Sequence, residues 1–353
     1  MVLYKVGELK EGMVVAKTIF RVDGSVVISK GTAIKAGFID RLKKLGVTEL
    51  YIREEISDAE AIEEIVKEDT RQIACIAVSE LMKNIALSEE YGAERVKGIV
   101  LNIIDEIFNK VPIASGFVDI RATDDYTIAH SVNVAIIAIV TGISMGYSEA
   151  KLYDLGIGAI LHDIGKSRIE AAILNKPSKL NAEEFAIIKN HTIKGYDILK
   201  RIKGLSVDAC NIALYHHERV DGGGYRYAVR GDSIPEMAKI VSVADVFDAL
   251  TSDRVYREKM ENYMVVDYLM SMRNIQFDAN IVEIFCKNIA LYPLGKRVRL
   301  SDGRAGFVVY NHQQDLERPK LMITHGKTKM KLYSPYMLDL IEETEELYIA
   351  DTL

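Results

Sequence analysis

Leu161-His162-Asp163-Ile164-Gly165-Lys166 sets a histidine directly beside an aspartate at the close of an apolar run, with a lysine one turn on. Lys166 follows Asp163 by three positions and His162 by four, so a helical path puts it on their face. Further along, His216-His217-Glu218-Arg219-Val220-Asp221-Gly222-Gly223-Gly224-Tyr225-Arg226 sets two adjacent histidines before a glycine-rich turn, which lets backbone come close to a bound group. Of the chain's seven histidines, five (His130, His162, His191, His216 and His217) fall between His130 and Asp245. Histidine is the commonest metal ligand near neutral pH. A lone helical histidine is more often a structural hydrogen-bonder. Here that alternative must hold five times over, beside an adjacent His-Asp and an adjacent His-His pair.

With Asp163 and Asp245 these histidines make seven nitrogen or oxygen donors. That is more than one ion takes, and two ions sharing a carboxylate would use them well. Two ions about 3.5–4 Å apart clamp the attacking and leaving oxygens of a phosphoryl displacement and acidify a water. Imidazole and carboxylate donors suit iron, manganese or zinc better than magnesium alone. The pattern points to metal-dependent phosphodiester hydrolysis.

Around the cluster the sequence reads as helical from residue 113 to about 292. A helix from about Asp125 carries His130 into the run Val132–Val140, and another spans 152–161 and delivers His162 and Asp163. Asn181-Ala182-Glu183-Glu184 has capping-box form and is expected to open the helix that bears His191. Residues 207–217 and 238–251 predict two more helices, the second carrying Asp245. Upstream, residues 70–111 show apolar positions at three- and four-residue intervals (Ile73, Ile76, Ala77, Leu81 and Met82, then Val96, Ile99, Val100, Ile103, Ile104 and Ile107). From Glu54 to Asp69 eight acids face one lysine, the pattern of a solvated helix face. Residues 13–20 and 25–29 predict strands joined at Asp23-Gly24. A helix over 36–45 is expected to end at Gly46, before another strand over 49–53. After Leu294, short strands are expected at 297–300, 306–310, 320–324 and 329–332. The expected class is therefore mainly α: a helical-bundle catalytic domain over 113–295, with a small α/β regulatory or dimerising domain at 1–53, a helical connector at 54–112 and a β extension at 296–353.

Composition narrows the function. The 353 residues are 49% apolar and 27% charged, an ordinary globular balance. The longest apolar run, Val134 to Val140, is seven residues, whereas a spanning helix needs about 20; no membrane insertion is expected. The first residues meet Gly7, Glu8 and Lys10 too soon for a secretion signal. Three cysteines far apart (Cys75, Cys210 and Cys286) suggest neither disulfides nor a sulfur site and fit a reducing cytoplasm. A net charge of −6 argues against binding a DNA or RNA polymer. An anionic substrate therefore needs a local positive cluster.

The spacing His130…His162-Asp163…Asp245 resembles the HD superfamily of metal-dependent phosphohydrolases. A longer set narrows the resemblance to the HD-GYP proteins: Asp124-x-Tyr126-Thr127-x-x-His130-Ser131, the His162–Lys166 stretch, His191, the His216–Tyr225 stretch, and Ala244-Asp245-x-Phe247-Asp248-Ala249-Leu250-Thr251-Ser252-Asp253-Arg254. The resemblance covers about residues 113–295. It implies a bacterial enzyme that cleaves cyclic di-GMP to pGpG, and on to GMP if the second diester is cut, with a hydroxide activated by two metal ions, iron or manganese. One ion would be held by His130, His162, Asp163 and Asp245, and the other by His191, His216 and His217 with Asp163 bridging. Lys166, Tyr225, Arg254 and Arg257 would face the substrate, supplying the positive cluster. Asp124 would position or deprotonate a water.

Two positions depart from the family pattern. Arg226 follows Gly224-Tyr225 where the namesake motif has proline, which loosens the turn and adds a charge. Tyr126 stands where three-metal members carry an acid, so two metals are expected. Three alternatives stay open: a hydrolase of another cyclic dinucleotide, a cyclic di-GMP receptor without turnover, and a scaffold acting through protein contact. A homodimer through the amino-terminal or connector region and a signalling-protein partner are the candidate associations.

Overall fold

The computed structural model describes residues 1–20, 26–45, 47–53, 65–84, 89–108, 126–174, 176, 178–252, 259–312 and 314–353. Asp124, Arg254 and Arg257 lie outside the described residues, as do Asp23-Gly24, Gly46 and most of the acidic stretch 54–69. The described residues fall into two compact units, one drawn from 1–65 and 287–353, the other from 66–111 and 126–286.

In the first unit, β1 (Val2–Lys5), β2 (Val14–Val15), β3 (Ile19–Phe20), β4 (Val26–Ile28), α1 (Ala36–Lys44) and β5 (Glu49–Arg53) follow one another. β5 is the central strand of an antiparallel sheet ordered β1-β5-β2, with Val2 opposite Ile52, and β3 pairs with β4. Val6, Val15, Ile34, Leu42 and Ile52 form the core beneath them. The expected strand over 13–20 is thus two short strands, because Val14–Val15 pairs with β5 and Ile19–Phe20 with β4.

The helical unit contains α2 (Glu68–Asn84), α3 (Glu89–Phe108), α4 (Tyr126–Ser144), α5 (Glu149–Ile160), a 3-10 turn at Ile164–Arg168, α6 (Ala171–Leu174), α7 (Ala182–Lys189), α8 (His191–Leu199), α9 (Val207–Tyr215), α10 (Glu236–Thr251), α11 (Asn262–Ser271) and α12 (Ala279–Cys286). α4 is buried on every side from Ile128 to Val140, as an all-round apolar helix must be, and it packs against α5, α10 and α2. α2 and α3 pack on each other and on this centre, burying Ala74, Ala77, Val78 and Leu81 against a face built of Val96, Val100, Ile103, Ile104 and Ile107. Ile73, one residue off that stripe, is exposed. Among the described residues no helix is long and apolar enough to cross a membrane.

The carboxyl-terminal strands of the first unit, β6 (Arg297–Leu300), β7 (Ala305–Tyr310), β8 (Lys320–His325), β9 (Lys331–Asp339) and β10 (Ile349–Thr352), form an antiparallel sheet ordered β10-β6-β7-β8-β9. Val298, Leu300, Val308, Leu321 and Ile323 alternate inward. β9 runs well past the expected 329–332. Its outward Tyr333, Tyr336 and Met337 hide the alternation that would have marked it. The chain is mainly helical, with small sheets at its ends.

Candidate metal centre

Five separate segments of the helical unit deliver the seven donors. His130 stands in α4, His162 and Asp163 between α5 and the 3-10 turn, His191 at the first residue of α8, His216 and His217 just after α9, and Asp245 in α10. His191 begins a new helix rather than continuing the one that Asn181 caps. The capping box at Asn181 and Glu184 is present, but α7 ends at Lys189 and Asn190 separates the two helices. Two close approaches draw the segments together. A Cβ on Gly165 would lie 1.9 Å from His191 O, and one on Gly158 would lie 2.3 Å from Ile212 Cδ1. Glycine at these positions lets the 3-10 turn touch α8 and α5 touch α9.

The donors form two groups whose atoms lie within 4.8 Å of one another: Asp163, His191, His216 and His217, and His130, His162 and Asp245. Asp163 faces both. Its Oδ1 is 3.3 Å from His191 Nε2 and 4.0 Å from His216 Nε2, while its Oδ2 is 3.2 Å from His162 Nε2 and pairs with Lys166 Nζ. Asp245 does likewise, with Oδ1 3.0 Å from His130 Nε2 and Oδ2 3.8 Å from His217 Nδ1.

The outer ring nitrogens set the tautomers. His162 Nδ1 donates to Ala159 O at 2.7 Å, His191 Nδ1 to Ile188 O at 2.7 Å, and His216 Nδ1 to Ile212 O and Ala213 O, both at 3.1 Å. A carbonyl oxygen only accepts, so each Nδ1 carries a proton and each Nε2 is the nitrogen turned inward. His130 Nδ1 lies 2.7 Å from Asp248 Oδ2, whose other oxygen accepts from Asn133 Nδ2 at 2.8 Å. Asp248 thus orients His130, a role its sequence position did not announce. Its spacing of three from Asp245 along one helix face was the available signal.

Burial depresses His191 and His216 and takes His217 down to about 3, so these rings are neutral. Burial would raise Asp163, but Lys166, His162 and His191 outweigh it and hold the carboxyl well below the usual range. Asp245 is lowered against the same burial penalty by His130, His217 and His162. His130 is pushed up to about 9; burial pulls it down, and hydrogen bonds to Asp245 and Asp248 prevail. The neutral rings of His191, His216 and His217 beside ionised carboxylates are ligand-ready, and His130 would have to give up its Nε2 proton for an incoming ion. Asp163 Oδ1 and His162 Nε2 are buried without a hydrogen-bond partner, and each such orphan costs about 1–3 kcal/mol unless something binds it. A divalent cation fits this donor set.

The glycine-rich turn closes over His217. Tyr225 N donates to His217 O at 3.2 Å, and Tyr227 N donates to Glu218 Oε1 at 2.6 Å. A Cβ on Gly224 would lie 2.5 Å from Arg219 N and Glu218 Cα, so only glycine allows the fold-back. Tyr225 stacks on His217 with ring centroids 4.7 Å apart. Glu218, buried beneath the turn, is a further positioning residue that sequence reasoning passed over.

Residues 120–281 match the HD domain family. The chain is 31% identical over 250 residues to the Pseudomonas aeruginosa protein named cyclic di-GMP phosphodiesterase PA4108, covering 70% of this chain and 59% of that one. It is 35% identical over 170 residues to a Vibrio cholerae protein named 3'3'-cGAMP-specific phosphodiesterase 2, covering 48% of this chain and 33% of that one. Among solved structures, Bd1817 of Bdellovibrio bacteriovorus, described as an HDGYP protein, superposes with a TM-score of 0.51 at 19% identity, covering 80% of this chain and 97% of that one. That likeness shows a shared fold. The chain spans less than two thirds of the length of either curated relative.

Proposed function

We propose that the chain, whose residues 120–281 match the HD domain family, is an HD-GYP phosphodiesterase cleaving cyclic di-GMP to pGpG. The observation that carries this reading is the convergence of ring nitrogens from five histidines on two carboxylates, each of which faces both donor groups. His130, His162, Asp163 and Asp245 would hold one divalent ion and His191, His216 and His217 a second, with Asp163 shared. Two such ions, iron or manganese in this reading, would supply an acidified water and a positive clamp for the phosphate.

The chain's own groups do the rest. Lys166 is paired with the buried Asp163 and half-exposed, placed to hold a phosphate oxygen. Asp248 keeps the His130 proton on Nδ1, and Glu218 holds the turn that carries Tyr225 over His217. In the same reading Asp124 handles a water proton and Arg254 and Arg257 meet the substrate. Residues 113–295 form the catalytic domain, preceded by a regulatory domain at 1–53 and a connector at 54–112 and followed by a β extension at 296–353. Free Cys75, Cys210 and Cys286 support a reducing, cytoplasmic setting. Exposed Ile73, Leu101 and Phe108 support a homodimer through the connector, and a signalling partner would act on the first domain.

Protein reconstituted anaerobically with iron or manganese should form pGpG from cyclic di-GMP, separated by chromatography, and Asp163→Ala should abolish it. Saturable binding without product from protein holding two metals would replace the enzyme by a receptor. The similarity to a 3'3'-cGAMP-specific relative makes the hybrid dinucleotide the second substrate to assay.

A further inference from the structure

A row of aromatic rings leads from the metal centre to solvent. Tyr225 lies against His217 at 4.7 Å and 31°, and Phe185 of α7 meets Tyr225 edge-on at 6.3 Å and 74°. Phe185, on the short helix α7, is 44% exposed. One turn further on, Lys189 holds its Nζ 4.7 Å from the Phe185 ring centroid and 5.0 Å from that of Tyr225.

Lys166 pairs with Asp163, Lys176 pairs with Glu184, and Lys194 donates to the Arg168 carbonyl. Among the described residues Lys189 has no carboxylate and no hydrogen bond, only the two ring faces. The ordinary account is a surface lysine lying on a neighbouring ring. Its position argues for more, because an unneutralised ammonium and an exposed ring flank the end of the aromatic row that begins at His217.

We infer that Phe185 and Lys189 form a nucleotide subsite beside the metal centre. Phe185 stacks one purine of the cyclic dinucleotide, and Lys189 meets the phosphate that is not being cleaved. The inference rests on the phosphodiesterase reading for its substrate class. Magnitudes favour the exchange: an exposed cation–π contact is worth about 0.5–1 kcal/mol, whereas stacking a base on an aromatic ring is worth about 1–3 kcal/mol. A purine therefore displaces the ammonium from Phe185, and the freed Lys189 turns to a phosphate.

The chain contains no tryptophan, so Phe185→Trp places a single tryptophan, excited selectively at long wavelength, at the subsite. Cyclic di-GMP titrated into the manganese-loaded full chain should quench its emission saturably. Phe185→Ala should raise KM for cyclic di-GMP about tenfold more than KM for methyl 4-nitrophenyl phosphate, a diester without a base. Lys189→Gln should weaken cyclic di-GMP binding and flatten its salt dependence. Turnover of cyclic di-GMP with no quench and no KM difference overturns the subsite and leaves the enzyme reading standing. Quench without turnover of any diester supports the subsite and sinks the enzyme reading. Neither quench nor turnover sinks both.

Discussion

Asp248, outside the candidate donor set, holds the His130 ring in place. With Asp248 Oδ2 on His130 Nδ1 and Oδ1 on Asn133 Nδ2, both carboxylate oxygens are committed as acceptors. Asp248→Asn forces an amide N–H against one of those donors and releases the His130 tautomer. We expect metal affinity to fall roughly 10–100-fold, the usual effect of losing a ligand's outer partner, read by chelator competition; unchanged affinity would show that Asp248 only packs. The titrations give a second expectation at this scale. His217, depressed to about 3, resists protonation that the unfolded chain accepts below its ordinary 6.5, so acidification from about 6.5 to 3 destabilises the metal-free protein, with His191 and His216 acting in the same direction. His130, raised to about 9, holds a proton that the unfolded chain loses above 6.5, so stability falls again as pH rises toward 9. The urea midpoint of chelator-treated protein should therefore peak near pH 6.5. A midpoint climbing steadily from pH 3 to 9 would contradict these assignments.

The helices matter through how closely they approach. Gly165 lets the 3-10 turn lie on α8, and Gly165→Ala puts a Cβ 1.9 Å from His191 O. The contact is backbone, so the turn and α8 must separate. We expect a loss of at least 1–3 kcal/mol, roughly the range for overpacking, together with weakened metal binding as Asp163 parts from His191. Asn181→Ala, by contrast, removes only the capping box of α7 and should cost about 1 kcal/mol, read as a urea midpoint shift. The adjacent His162-Asp163 and His216-His217 pairs were legible in the sequence because such donors seldom share an apolar helical setting. The break between α7 and α8 was not, since Asn190 keeps right-handed helical backbone and leaves the periodicity undisturbed. Asp248 was in plain view, but sequence does not say whether a carboxylate one turn from Asp245 faces an ion or a histidine. The α2 stripe was misjudged at Ile73, where a large apolar residue stands one position off the buried face and small Ala74 takes its place.

For the whole molecule, the mainly helical class and the β character of both ends followed from period and turn residues. β1 was not foreseen, because Val2–Lys5 becomes a strand only by pairing with β5, nearly fifty residues away. Binding that favours the folded chain must also raise its stability. Metal at 100 times its dissociation constant should add about 2.7 kcal/mol, so chelation should lower the calorimetric transition of the helical unit, and a transition indifferent to metal would place the ions elsewhere. The central claim is that seven side chains from five segments hold two ions with Asp163 shared. Its most direct test is the metal count per chain after anaerobic reconstitution and desalting, for wild type and for folded His191→Ala. Two ions in the wild type and one in the variant are predicted; two in both would contradict the centre described here.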